Sequence, residues 1–128
     1  MHTKIRASVA AAAIAATLFT PSMAQANQAD KINAGACSGA ADWKIKLSRQ
    51  NAGIEVEYEV DASRRGQRWR VALFHDGRRV TRDVFTTRGL SGSFTVRRVE
   101  PNRAGGDRFR ARAVRLGDGQ TCRGGARF

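Results

Sequence analysis

Ile54-Glu55-Val56-Glu57-Tyr58-Glu59-Val60 alternates apolar and acidic residues without a break. Side chains on an extended strand point to opposite faces in turn, so this stretch buries one face and wets the other. A helix would scatter the same glutamates around its circumference. The period of two continues in both directions. Upstream, Trp43, Ile45 and Leu47 alternate with Lys44 and Lys46. Downstream, Trp69, Val71 and Leu73 alternate with Arg68, Arg70 and Ala72. A weaker fourth run covers residues 79–87, and Phe94 with Val96 marks a fifth. Phe109, Ala111 and Ala113 alternate with Arg108, Arg110 and Arg112. In the last run, Cys122, Gly124, Ala126 and Phe128 share one parity, with Arg123 and Arg127 on the other.

Turn residues separate these runs: Asn51-Ala52-Gly53, Asp76-Gly77, Gly89 to Gly92, Pro101 to Gly106 and Gly117-Asp118-Gly119. Gly, Asn, Asp and Pro supply the backbone angles that turns demand. Asp-Gly between apolar runs is a tight-hairpin signal. No window sustains a helical period, and no internal repeat is present. Seven short strands at regular spacing predict an all-β sandwich over residues 37–128. Residues 27–36 are small and polar, without a period, and are expected as a flexible lead.

The first 26 residues read differently. Lys4 and Arg6 form a positive start, Ala7 to Thr20 is an apolar run, Pro21 and Ser22 break it, and Ala24-Gln25-Ala26 offers small residues for cleavage. That order is the pattern of a secretory signal peptide. As a membrane anchor the run falls short of the ~20 apolar residues a spanning helix needs. The chain is therefore expected to be secreted, extracellular and monomeric, with no transmembrane segment once the leader is cut. Cys37 and Cys122 are its two cysteines. An even count in an exported chain predicts a disulfide. Lipid attachment at Cys37 is the poorer reading, because Ala34-Gly35-Ala36 precedes it and Cys122 would be orphaned.

The stretch from Val99-Glu100-Pro101 through Arg108-Phe109-Arg110-Ala111-Arg112-Ala113-Val114 to Leu116-Gly117-Asp118-Gly119 resembles the corner and sixth strand of a fibronectin type III module. Phe109 stands where that family usually carries tyrosine. Taken whole, the chain is similar to short secreted immunoglobulin-like proteins of high-GC bacteria, mostly without assigned function. The resemblance implies a seven-stranded immunoglobulin or fibronectin type III-like sandwich and export. It implies no activity. In such a sandwich the first and seventh strands start at the same pole, which brings Cys37 and Cys122 together.

Candidate chemistry is sparse. His75 is the only histidine after the leader and precedes the Asp76-Gly77 turn. It reads as a plain strand-end or loop residue, with neither partner nor nucleophile in sequence reach. No ligand spacing suggests a metal, and no motif suggests a cofactor. The predicted catalytic, cofactor and metal residues are therefore none, and the chain is expected not to be an enzyme. Glu55, Glu57 and Glu59 face one way and are expected to pair with Lys44, Lys46 and Arg97 on neighbouring strands.

Charge carries the functional signal. The chain has a formal net charge of +12, supplied by 19 arginines against 4 lysines. In an immunoglobulin-like order the sixth strand lies between the third and seventh. Arg68, Arg70, Arg108, Arg110, Arg112, Arg123 and Arg127 would then share one sheet face. Like charges across strands destabilise a sheet, so a face that tolerates them suits an anionic ligand. Arginine's planar fork suits bidentate contact with phosphate, sulfate or carboxylate. The leading expectation is a secreted, non-enzymatic binding module whose basic face docks on an anionic cell-envelope polymer, an acidic protein or an extracellular nucleic acid. One alternative is a structural or protein-interaction module with incidental charge. Another is a secreted inhibitor presenting the Asp76-Gly77-Arg78-Arg79 hairpin.

Overall fold

In the computed structural model, residues 12, 13, 15 and 29–128 are described. The leader read over residues 1–26 lies outside the described residues but for those three positions. Eight strands follow in order: β1 Lys31–Ala36, β2 Asp42–Gln50, β3 Gly53–Asp61, β4 Arg68–His75, β5 Arg78–Thr86, β6 Ser93–Pro101, β7 Arg108–Arg115 and β8 Thr121–Arg127. They form two four-stranded sheets, ordered β1-β2-β3-β6 and β5-β4-β7-β8. Every pairing is antiparallel.

The alternating runs decide which face is buried. Ile45 and Leu47 of β2, Ile54, Val56, Tyr58 and Val60 of β3, and Phe94 and Val96 of β6 turn toward the other sheet. Trp69, Val71 and Leu73 of β4, Phe109, Ala111 and Ala113 of β7, and Cys122 and Ala126 of β8 meet them. The Tyr58 hydroxyl donates to the Cys122 carbonyl at 3.3 Å, so one buried polar contact crosses between the sheets. Burial pushes the pKa of this hydroxyl well above the usual tyrosine value, and it stays neutral.

Cys37 and Cys122 are disulfide-bonded, as expected, with Cα atoms 4.3 Å apart. The bond fastens the turn between β1 and β2 to the start of β8, and so one sheet to the other. Around it, Thr121 N–H donates to Ser38 Oγ at 2.9 Å and Ala41 N–H donates to Gln120 Oε1 at 2.9 Å.

The architecture has eight strands rather than the seven expected. Residues 31–36, within the stretch expected as a flexible lead, form β1 on the outer edge of β2, from Lys31 opposite Leu47 to Ala36 opposite Asp42. Ile32 is the one large apolar residue there and is exposed, so the run shows no apolar alternation. Backbone pairing and close fit define the strand instead. Asn33 Nδ2 donates to the Gly125 carbonyl of β8 at 2.7 Å, bridging the two sheets. The Trp43 ring sits between Gly35 of β1 and Gly124 of β8. A Cβ at Gly35 would lie 2.9 Å from Trp43 Cζ2, and one at Gly124 would collide with Cε3 and Cζ3. Glycine is required at both seats so that two backbones can approach one indole. On the opposite side, Phe85 of β5 stacks on Phe94 of β6 at 5.6 Å between centroids.

Asp76 and Gly77 both have positive φ, 49° and 80°, and close a two-residue hairpin between β4 and β5. Among the described residues no helix is long and apolar enough to cross a membrane.

Candidate functional site

The second sheet places β7 between β4 and β8. Register then decides which arginines meet. Arg108 lies opposite Arg127, Arg112 opposite Arg123, and Arg110 opposite Gly125. On the other flank, β4 sets Phe74 opposite Arg110, Ala72 opposite Arg112 and Arg70 opposite Val114. Arg68 continues the β4 row. All seven arginines expected on this face are exposed. Arg82 of β5, opposite Ala72, and Arg79, opposite Phe74, extend the positive field to the sheet edge.

None of the seven expected arginines forms an ion pair with a described residue. The contrast with the first sheet is sharp. There Arg97 Nη2 meets Glu57 Oε1 at 2.6 Å and its Nε lies 3.7 Å from Glu55, while on the core-facing parity of β6 Arg98 Nε meets the buried Glu100 at 3.0 Å. The Arg97 guanidinium holds the Glu57 carboxyl below its ordinary pKa of 4.5. The glutamate ladder expected from sequence is thus present around Arg97. Its lysine side differs: Lys46 reaches Asp30 at 3.4 Å, although Lys46 and Lys44 stand opposite Glu57 and Glu59 in register. Charge is therefore segregated, compensated on one outer face and uncompensated on the other.

The arginine face is not flat. Gly124 and Gly125 are adjacent in β8 and leave a strip of bare backbone between Arg123 and Arg127. Together with Asn33, Trp43, Phe74 and the β7 arginines they line an open groove of about 980 Å³. Phe74 and Trp43 are half-buried, so each contributes partly accessible aromatic surface. Counting only the inward row of β7, the sequence predicts no exposed stacking surface. Phe74 corrects that: it follows Leu73 and falls on the outward parity of β4, where a register shift between Leu73 and Phe74 disturbs the pairing with β5. Parity alone could have found it. Gly125 as a notch depends on the β7–β8 register and had no such signal.

His75 is a strand-end residue, as expected, but it has a partner. Only 1% exposed, it stacks on Phe109 at 4.4 Å between centroids. Its Nε2 is 2.6 Å from Asp107 Oδ1, and Asp107 is itself buried. Asp107 also accepts from Arg103 N–H, and Asp76 Oδ1 accepts from Arg108 N–H at 2.8 Å. His75 and Asp107 therefore clasp the end of β4 to the loop before β7. Phe109 supplies the ring on which His75 stacks. His75, Asp76 and Asp107 are the trio among the described residues whose ligand atoms all lie within 4.8 Å of one another. Their oxygens are already engaged by backbone N–H groups, which fits a structural clasp. No nucleophilic side chain among the described residues hydrogen-bonds to His75.

The hairpin expected as an inhibitor's presenting loop is a minimal turn, and Arg78 is already paired to His75 across the ladder. Compared with protein-family models, curated proteins and solved structures, the chain matches none.

Proposed function

We propose that this chain is a secreted, non-enzymatic binding module, and that the outer face of β5-β4-β7-β8 docks on an anionic polymer. The carrying observation is the set of seven exposed arginines on one sheet with no ion-pair partner among the described residues. Crowding like charges costs stability, and the first sheet shows that acidic partners are placed where compensation is needed. An anionic ligand would offset that cost through charge-assisted bidentate hydrogen bonds. The order β2-β3-β6 against β5-β4-β7-β8 supports a fibronectin type III-like sandwich with β1 added at one edge. Export is supported by the leader pattern and by the disulfide.

The test is binding of the oxidised mature chain to a panel of polyanions across a salt series, beside an Arg108→Ser/Arg110→Ser/Arg112→Ser variant. The expected result is binding that persists at ~0.15 M salt, with a salt slope that flattens in the variant. Retention of full binding by the variant would reduce the arginines to solvated charge. A protein-interaction module is the second reading. It is favoured by Leu90, 99% exposed at the tip of the loop before β6, and by Val99, 53% exposed on the β6 edge.

A further inference from the structure

The arginines of β7 and β8 have a spacing as well as a sign. Arg108, Arg110 and Arg112 recur every second residue along β7, which is ~6.8 Å per step on an extended strand. The outer two steps are doubled by Arg127 and Arg123, directly across on β8. The middle step faces Gly125, where the backbone is bare. The column is therefore three rungs of positive charge in a straight line, with a shallow seat at its centre.

Two residues of a strand span six backbone bonds. A nucleic acid backbone also repeats every six bonds from phosphorus to phosphorus. Drawn out, it places its charges at the same interval, roughly 6–7 Å by the same bond-length arithmetic. Consecutive phosphates of an extended strand would fall on consecutive rungs. A duplex winds its phosphates around a helix, so its fit to a straight column worsens with each added rung.

Six-bond phosphodiester repeats also occur in polyol phosphates, so spacing alone does not choose between them. Phe74 does. It lies directly opposite Arg110 on β4, half-buried with its ring on the outer face. A phosphate held by Arg110 has its base within reach of that ring, and base–aromatic stacking is a sequence-tolerant source of affinity. A polyol phosphate has nothing to stack. Building on the reading of the arginine face given above, we infer that the groove binds extended single-stranded nucleic acid. Three successive phosphates run along Arg108/Arg127, Arg110 and Arg112/Arg123, and a base lies on Phe74.

The experiment is fluorescence anisotropy of labelled oligothymidylates of increasing length with the oxidised mature protein at ~0.15 M salt, a concentration at which exposed charges are largely screened. Poly(glycerol phosphate) and polyglutamate serve as competitors of matched charge. Trp43, in the groove, gives an independent emission signal. Affinity should rise steeply up to about four nucleotides, with a salt slope near −2 for three phosphates on a single strand. Oligothymidylate should outcompete poly(glycerol phosphate) on the order of 10-fold, and Phe74→Ala should erase that preference without changing the salt slope. Phe74→Trp should preserve the preference, which separates lost stacking from a damaged fold. Equal binding of oligothymidylate and poly(glycerol phosphate), indifferent to Phe74→Ala, would overturn the nucleic acid inference and leave the basic face standing. Binding of no polyanion at this salt would overturn both.

Discussion

Replacing His75 by leucine should be the most damaging single change outside the disulfide. Leucine keeps an apolar side chain of similar size against Phe109 but removes the ring nitrogen 2.6 Å from Asp107 Oδ1. Asp107 is 2% exposed and cannot turn to water. The N–H of Arg103 still reaches it, at 3.1 Å and 3.2 Å to its two oxygens, so the carboxylate is weakened in support and not wholly abandoned. Leaving a buried hydrogen-bond acceptor short of its partner costs about 1–3 kcal/mol, and more where the acceptor is a carboxylate. With the carboxylate as acceptor and the Arg103 contact retained, His75→Leu is expected to cost about 3 kcal/mol. In a domain of this size each kcal/mol moves Tm by roughly 4–8 °C, so a fall of at least ~12 °C is expected. Urea unfolding with the disulfide intact should show the same loss as a lower midpoint at unchanged slope. A second variant, His75→Leu/Asp107→Leu, should recover a good part of the loss, because the carboxylate left short of its partner is removed with it. A single variant that loses under ~1 kcal/mol, or a double variant worse than the sum of the singles, would refute the clasp.

Cys37→Ala/Cys122→Ala should lose about 4–5 kcal/mol, the chain-entropy value for a bond spanning 85 residues, measured by denaturant midpoint. Gly124→Ala should cost about 1–3 kcal/mol, since its Cβ meets the Trp43 ring, and should shift Trp43 emission. The effect of Glu57→Gln should depend on pH. Arg97 lowers the Glu57 pKa below 4.5, so the ionised side chain stabilises the fold above that value and the contribution is lost as pH falls through the lower, folded-state pKa. The variant should be less stable than the parent by a few tenths of a kcal/mol near neutrality and indistinguishable from it in strong acid, as an exposed pair allows.

Much of this architecture was legible because burial is one-sided. Each strand from β2 to β8 except β5 carries an apolar row on one parity, and that parity names the core residues, the outward arginines and the position of Cys122. β1 was not legible. Lys31–Ala36 has no apolar row to read, and it pairs because β2 offers an open edge and because Gly35 and Gly124 let Trp43 fit between the sheets. The His75–Asp107 clasp joins residues 32 positions apart across a loop, which no local pattern encodes. The arginine face was legible as a set, whereas its groove was not. Gly125 gains meaning only once it stands opposite Arg110, and Phe74 only once it stands beside them on β4.

The central claim is that the binding surface is the outer face of β4, β7 and β8. Arginine Nε–Hε resonances, followed while an anionic polymer is titrated into the oxidised protein at physiological salt, test it most directly. Arg110, Arg112, Arg123 and Arg127 should shift together and saturably, while Arg97, held by Glu57 on the opposite sheet, stays in place. Shifts spread evenly over both sheets, or confined to Arg97 and Arg98, would contradict the account.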